Sequence, residues 1–322
     1  MMIIKRLYNL LYVIILLFIC SQILIKSDVV IESVSFAFNL WKNNIFPSLF
    51  PFFVISELLI NYGFVELISE IIGPFMNKVF KCGSNSSFIF IMSILSGIPS
   101  NAKYISELYK EGLIDTKEGT KILMFTHFSN PLFILGTLSI TFLNNKEVGL
   151  LILCTHYITN IIIGILFRNY CPTKEKKTLN LRLAVRKMNK RKNNFGTVLK
   201  NSLINSINTM LLILGIVTFF LIITTIIDSN INIPPYYQSI INGILEMTQG
   251  LKYISVLDIP LKVKAVLSTM IISFGGFSAH LQVMSILSDT EIKYFPYFIS
   301  RVIHSLIASI LIFIFFDLYF SL

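Results

Sequence analysis

Charge is scarce in this 322-residue chain: Asp, Glu, Lys and Arg make up 14% of it, where a soluble domain carries about 25%. Cysteine is scarcer still. Cys20, Cys82, Cys154 and Cys171 stand singly with no CxxC pair, which argues against a disulfide framework or a zinc site. No HExxH, GxSxG or Walker sequence is present, so the chain reads as neither an enzyme nor a nucleotide- or cofactor-holding protein. What fills the space is apolar: 54% of residues are hydrophobic and mean hydropathy is +0.75. Several apolar runs reach the roughly 20 residues that span a bilayer. The expected fold class is all-α, a polytopic membrane protein whose surroundings are lipid.

The net charge of +10 looks at first like nucleic-acid affinity. It is local, however. Arg168 to Lys200 holds eleven Lys/Arg against one acid, Glu175, and the rest of the chain is balanced. A polybasic loop between membrane segments marks the cytoplasmic side. With no recognition motif or interleaved aromatics beside it, nucleic acid is not an expected partner.

In chain order, Lys5 and Arg6 precede an apolar helix at Leu7 to Ile25. No small-residue cleavage site follows it, so it reads as an uncleaved span with its N-terminus inside. Val30 to Phe46 suits an interfacial helix. Pro47 and Pro51 then open a span running to Ile60, both in its first turn or so, where a missing N–H is tolerated. Phe64 to Phe80, with Gly73-Pro74 inside it, reads as a hairpin entering and leaving on one side. A polar turn from Glu107 to Thr116 leads into Asp115-Thr116-Lys117-Glu118, a capping-box pattern. Val148 to Phe167 is a plainer span with His156 and Asn160. Ile207 to Ile227 is another, followed by an outside loop, Asp228 to Tyr237. Ser239 to Leu257, with Gly243, Glu246 and Gly250, predicts a second hairpin. Tyr297 to Tyr319 closes the chain, with Arg301 and His304 on one helix face.

Three apolar runs contain helix-breaking chemistry near their middles. In Phe88 to Tyr104 the break is Ser96-Gly97-Ile98-Pro99, with Ser100 and Asn101 placed to cap a new helix and Lys103 in its first turn. In Lys121 to Leu143 it is Ser129-Asn130-Pro131, with Asn130 as N-cap and Pro131 at the first helical position. In Val263 to Leu287 it is Gly275-Gly276, with Ser278, His280 and Gln282 following. Backbone left open in lipid costs too much, so such breaks belong inside protein or beside a wet cavity. Span, Gly-bearing hairpin and Gly-broken helix describe Pro47 to Tyr104 and again Ile207 to Leu287. With an odd number of crossings before the basic loop, the two halves would be inverted copies, as in many secondary transporters. The expected division is 1–40, an N-terminal helix and interfacial segment; 41–167, repeat A; 168–200, the basic loop; and 201–322, repeat B.

At these motifs the chain resembles the YlbJ/SpoVV family of sporulation integral membrane proteins, within the wider group carrying a nucleoside-recognition, or Gate, domain. The matching pieces are Phe46 to Phe52, Ser96 to Lys103, Ser129 to Ile134, His156-Tyr157, Gly243 to Gly250, Gly275 to Val283, and Arg301 with His304. The sequence departs from the family pattern at Asn101, where a Gly is expected, and at Ile98, where an aromatic is. The resemblance implies a carrier in endospore formation that moves dipicolinic acid out of the mother cell across the outer forespore membrane. A non-transporting scaffold for spore-envelope assembly, and a nucleoside carrier, are the alternatives. Oligomers are compatible with all three.

Dipicolinate is a flat aromatic dianion, so its site needs positive potential, donors and an apolar slot. The half-helices starting near Ser100, Asn130 and Ser278 would aim amide ends inward. Gly97, Pro99, Gly275 and Gly276 shape the breaks. Lys103, His280, Arg301 and His304 would supply charge; Asn101, Asn130 and Gln282 would donate hydrogen bonds. Two competing roles stand beside these: Lys103 snorkelling to an interface, and Arg301 paired with Glu246 or Glu57. Glu246, with Thr248, is also the candidate for a coupling ion, H+ or Na+. His127 and His156 read as hydrogen-bonded packing residues.

Overall fold

The computed structural model describes residues 2–172, 185–186, 188 and 194–320. The basic run expected over 168–200 lies largely outside the described residues. Among the described residues all regular structure is helical. Five helical stretches are long and apolar enough to cross a membrane: Ser27–Asn61, Lys146–Leu166, Phe195–Asn230, Leu261–Ile286 and Tyr294–Phe320. Their outer faces carry side chains that water would not tolerate in such number, among them Leu306 and Ile310 at 60% and 61% exposure. This is a multi-pass membrane protein.

The chain begins with α1 (Met2–Ile25) and α2 (Ser27–Leu40). The expected interfacial helix and the span after it are not separate. α2 runs through a π-helical turn, Trp41–Ile45, into α3 (Phe46–Asn61), giving one 35-residue rod. The wide turn lies just ahead of Pro47, where the ladder must absorb a missing N–H. Pro51 falls inside the helix rather than in a first turn. Packing holds the rod continuous: Ala37, Leu40, Leu49 and Phe53 bury against Met210, Ile213, Val217 and Leu221, and Trp41 Nε1 donates to Met210 O at 3.0 Å.

The expected hairpin over Phe64 to Phe80 is also absent. α4 (Phe64–Phe75) continues through a second π-helical turn, Met76–Phe80. Gly73 marks a close approach, not a bend: a Cβ there would lie 2.8 Å from Ser84 Cβ. α5 (Ser86–Ser96) and α6 (Ser100–Lys110) flank the first break, and α6 extends past Glu107, shortening the expected polar turn. α7 (Thr116–Leu123) starts where the capping pattern placed it, with Asp115 Oδ1 accepting from Glu118 N at 2.7 Å. A π-helical segment, Phe133–Phe142, leads to α8 (Lys146–Leu166), capped by Asn145.

The second half comprises α9 (Phe195–Asn230), α10 (Pro235–Leu245), α11 (Met247–Val256), α12 (Leu261–Phe274), α13 (Gly276–Ile286) and α14 (Tyr294–Phe320). Here the expected hairpin exists. α10 and α11 turn back at Glu246 and meet through their glycines; a Cβ on Gly250 would sit 2.2 Å from Gly243 Cα. The core joins the two stretches of chain. Ile134, Leu138 and Ile152 pack with Leu251, Ala265 and Ile272, while Val283, Leu287 and Tyr297 complete a cluster built mainly from Ile60 to Ile163.

Candidate functional site

Each interruption has a local cause. Gly97 adopts φ 79, ψ −163, a region open essentially to glycine alone. A Cβ at this position would lie 2.5 Å from Asn130 N. Asn130 answers with two bonds. Its Nδ2 donates to Ser96 O at 3.0 Å, closing an orphan carbonyl at the end of α5. Its Oδ1 accepts from Leu132 N at 2.7 Å, capping the helix that Pro131 begins. Ser100 and Asn101 do not cap α6 as expected. Pro99 occupies the cap position, and Ser100 Oγ and both polar side-chain atoms of Asn101 are buried without a hydrogen bond.

The hairpin turn and the last break are built in the same way. Glu246 leaves the helical region at φ −139, ψ 113. Its carboxylate accepts from the Thr248 hydroxyl and, at 2.9 Å, from Gln249 N. Gly275 and Gly276 take φ 94 and 71. Their missing side chains admit neighbours: Cβ atoms would fall 2.6 Å from His127 Nε2 and 3.0 Å from Met247 N. α13 thus starts at Gly276, with Ser278 in its first turn rather than at its head.

The four interruptions meet at one cavity of about 60 Å³. Pro99, Asn130, Glu246, Thr248, Gly275, Ser278 and Gln282 line it, with Asn44 and Ser48 from the α2–α3 rod and Ile213 and Val217 from α9. Ser48 lies in the Phe46 to Phe52 motif but the sequence assigns it no role in the site, and nothing local distinguishes Asn44 from other polar residues on an apolar helix. The cavity volume is above the roughly 10–15 Å³ needed to admit a water, and at about 30 Å³ per water in the liquid the space holds a few at most. An aromatic dicarboxylate enters only if the walls part.

The cationic candidates stand off this cavity. Lys103 is 5% exposed and does not snorkel. Its Nζ lies 3.4 Å from Glu57 Oε2 and 3.8 Å from Glu107 Oε1. Arg301 is fully buried, and no carboxylate pairs with it among the described residues; neither Glu246 nor Glu57 does so. It donates instead to His304 Nδ1 at 2.8 Å, to Asn160 Oδ1 at 3.3 Å and to Met124 O. His304 Nε2 in turn faces His156 O at 3.2 Å. His280 is held by Tyr294 Oη at 2.9 Å and Phe274 O at 3.0 Å.

Arg301 and His304 instead belong to a network behind the cavity that ties two breaks together. His156 Nε2 accepts from Ser129 N at 3.0 Å, which puts its proton on Nδ1, 3.2 Å from Ser273 Oγ. His127 Nδ1 meets Tyr297 Oη at 2.7 Å, and Asn160 Nδ2 donates to His127 O at 3.0 Å. His127 and His156 are packed and hydrogen-bonded, as expected. The cavity therefore offers hydroxyl and amide groups and one carboxylate, with positive potential only from helix starts.

Residues 44–146 match the family model Gate, described as nucleoside recognition. That stretch contains the breaks at Gly97 and Asn130 together with Lys103, Glu57 and Glu107. Over 330 aligned positions the chain is 28% identical to the sporulation integral membrane protein YlbJ of Bacillus subtilis (strain 168), covering 92% of this chain and 80% of that protein. No solved structure matches the chain.

Proposed function

We propose that this YlbJ-like sporulation membrane protein is a carrier, and that the cavity where its four interrupted segments meet is the solute site. That convergence is the observation carrying the reading. Kinks that served only helix shape would have no reason to bring hydroxyl, amide and carboxylate groups together within walls that are otherwise apolar, such as Ile98, Phe133 and Val217, whereas a solute site at mid-membrane needs helix ends and side-chain donors together. Gln282, Ser278, Asn130 and Thr248 supply those groups, and Glu246 is the ionisable member, the position for a coupling proton or Na+. We take the walls to move about this point, opening the space further; the first half lacks the hairpin that the second has, so the motion is not drawn from a matched pair of repeats.

The solute proposed first is dipicolinic acid, moved out of the mother cell across the outer forespore membrane. With no cation lining the cavity, Glu246 would meet a dianion unfavourably. Dipicolinate is therefore expected to be carried with protons, one of them shared with Glu246. The absence of a cation from the lining and the Gate match favour a second solute, a nucleoside.

Purified protein in liposomes decides between these readings. Labelled dipicolinate is expected to enter faster than into empty vesicles, with Ser278→Leu, which fills the cavity, abolishing the difference. Flux of labelled dipicolinate and of labelled uridine both no greater than in empty vesicles overturns the carrier reading and leaves the envelope scaffold. Competition by uridine at concentrations where dipicolinate does not compete shifts the reading to the nucleoside.

A further inference from the structure

Three charged side chains from two helices share a buried volume outside the cavity lining. Lys103 on α6 lies between Glu57 on α3 and Glu107 on its own helix, at 3.4 and 3.8 Å. The ammonium also reaches Ser206 Oγ of α9 at 3.3 Å and stands 4.8 Å from the centre of the Phe53 ring. Asn205 Nδ2 donates to Glu57 Oε1 at 2.7 Å. The second oxygen of Glu107, Oε2, is buried and accepts no hydrogen bond, while Glu57 Oε2 has only the ammonium at 3.4 Å.

With all three ionised, the group carries one ammonium and two carboxylates, a net charge of −1. A net charge out of water is costly, and a single proton removes it. An unbonded carboxylate oxygen is where such a proton can sit. The other charges acting on Glu107 are Lys110, the last residue of its own helix, and Glu111 just beyond it, opposite in sign. Lys110 is drawn outward toward Asp289 at 3.6 Å. α5 carries no charged residue, and the Tyr104 hydroxyl is engaged with Ser96 Oγ at 2.8 Å.

We propose that Glu57, Lys103 and Glu107 form a proton-binding triad that couples protonation to the position of the cavity walls. Glu107, with its side chain 21% exposed against 11% for Glu57 and 6% for Lys103, is the entry point for the proton from water. The proton joins a carboxylate oxygen on entry and leaves from it to water on release; no electron moves. The same helices that carry the triad and its polar partners carry cavity residues. Leu49 lies eight residues before Glu57 on α3, Pro99 precedes α6, and Ile213 follows Ser206 on α9. At 1.5 Å per residue the α3 separation is about 12 Å. Changing the triad's charge therefore changes how tightly three walls of the cavity are tied.

The coupling rests on the carrier reading, but the proton site does not, and the test keeps the two apart. Infrared difference spectra of the full chain in lipid vesicles are taken between about pH 5 and pH 9, the range that perturbed carboxyls span. A protonated-carboxyl band is expected to appear toward acid and to contain a component that is lost in Glu107→Gln or Glu57→Gln and persists in Glu246→Gln. No such component, or one surviving in both triad variants, overturns the proposal. In the same vesicles, a pH gradient is expected to stimulate dipicolinate uptake by about tenfold, or about 1.4 kcal/mol. Glu107→Gln is expected to lose most of that stimulation, the remainder being carried by Glu246, while retaining exchange without a gradient; undiminished stimulation overturns the coupling. A triad band in a protein that moves no dipicolinate sinks the dipicolinate reading and leaves the proton site standing.

Discussion

Lys103 and Arg301 are both buried within the bundle, at 5% and 0% exposure, yet the chain surrounds them with different chemistry. Lys103 faces two carboxylates, a hydroxyl and an aromatic ring. Arg301 also has a hydroxyl, Ser300 Oγ, and an aromatic ring, Tyr297, beside it, but its other partners are an amide oxygen, an imidazole nitrogen and a backbone carbonyl, with no acid among the described residues. An ammonium is a compact, strongly hydrated charge that has to be replaced by charge when water is removed. A guanidinium is delocalised, more weakly hydrated, and offers five donors to spread over neutral acceptors. The difference assigns them different work. Lys103 sits in a group whose net charge one proton can cancel. Arg301 is a fixed brace joining α14 to α8 and to the segment before the second break.

Substitution separates the two environments. The largest effect is expected for Arg301→Met, which leaves His304 Nδ1, Asn160 Oδ1 and Met124 O without their donor. At roughly 1–3 kcal/mol for each buried unsatisfied group, the loss should reach about 4 kcal/mol. Thermal unfolding in detergent measures it, and a loss below about 1 kcal/mol would mean that the brace is not needed.

Lys103→Met comes next. It strands two buried carboxylates and is expected to cost about 3 kcal/mol. Adding Glu57→Gln should recover part of this, giving a coupling of about 1–3 kcal/mol in a double-mutant cycle. Arg301→Met has no such rescuer, since no acid is left stranded beside it. Strict additivity in the Lys103–Glu57 cycle would erase the distinction drawn here.

The smallest effects test the neutral partners. Ser206→Ala removes one hydroxyl from a lysine that keeps both acids, and should cost about 0.5 kcal/mol. Asn160→Ala removes an acceptor from Arg301 and a donor from His127 O, and should cost about 2 kcal/mol. Both are read from denaturation midpoints; equal effects would mean that the two cations depend equally on their neutral neighbours.

The interruptions were legible because their chemistry is local. Gly97 with Pro99, Asn130 with Pro131, and the Gly275–Gly276 pair each break a helix through their own backbone preferences. The Asp115 cap and the Gly243/Gly250 hairpin were legible for the same reason. Gly73–Pro74 carried an equally strong local signal and was misleading, because Ser84 fills the space beside Gly73 and packing keeps that helix whole. The cationic candidates were misplaced for a different reason. A charged residue in an apolar run signals function or pairing, but not which partner it will meet; Glu57 lies 46 positions before Lys103, and Asn160 lies 141 before Arg301.

The residue order by itself determined that this is an all-helical membrane protein and where most of its helices are interrupted, because apolar length and the backbone limits of glycine, proline and asparagine act within a turn or two. Only the tertiary structure decided that the interruptions share one cavity, that Lys103 is balanced by acids and that Arg301 is not. Those outcomes depend on which distant helices pack together, and packing is settled by the fit of whole surfaces rather than by any short stretch of chain.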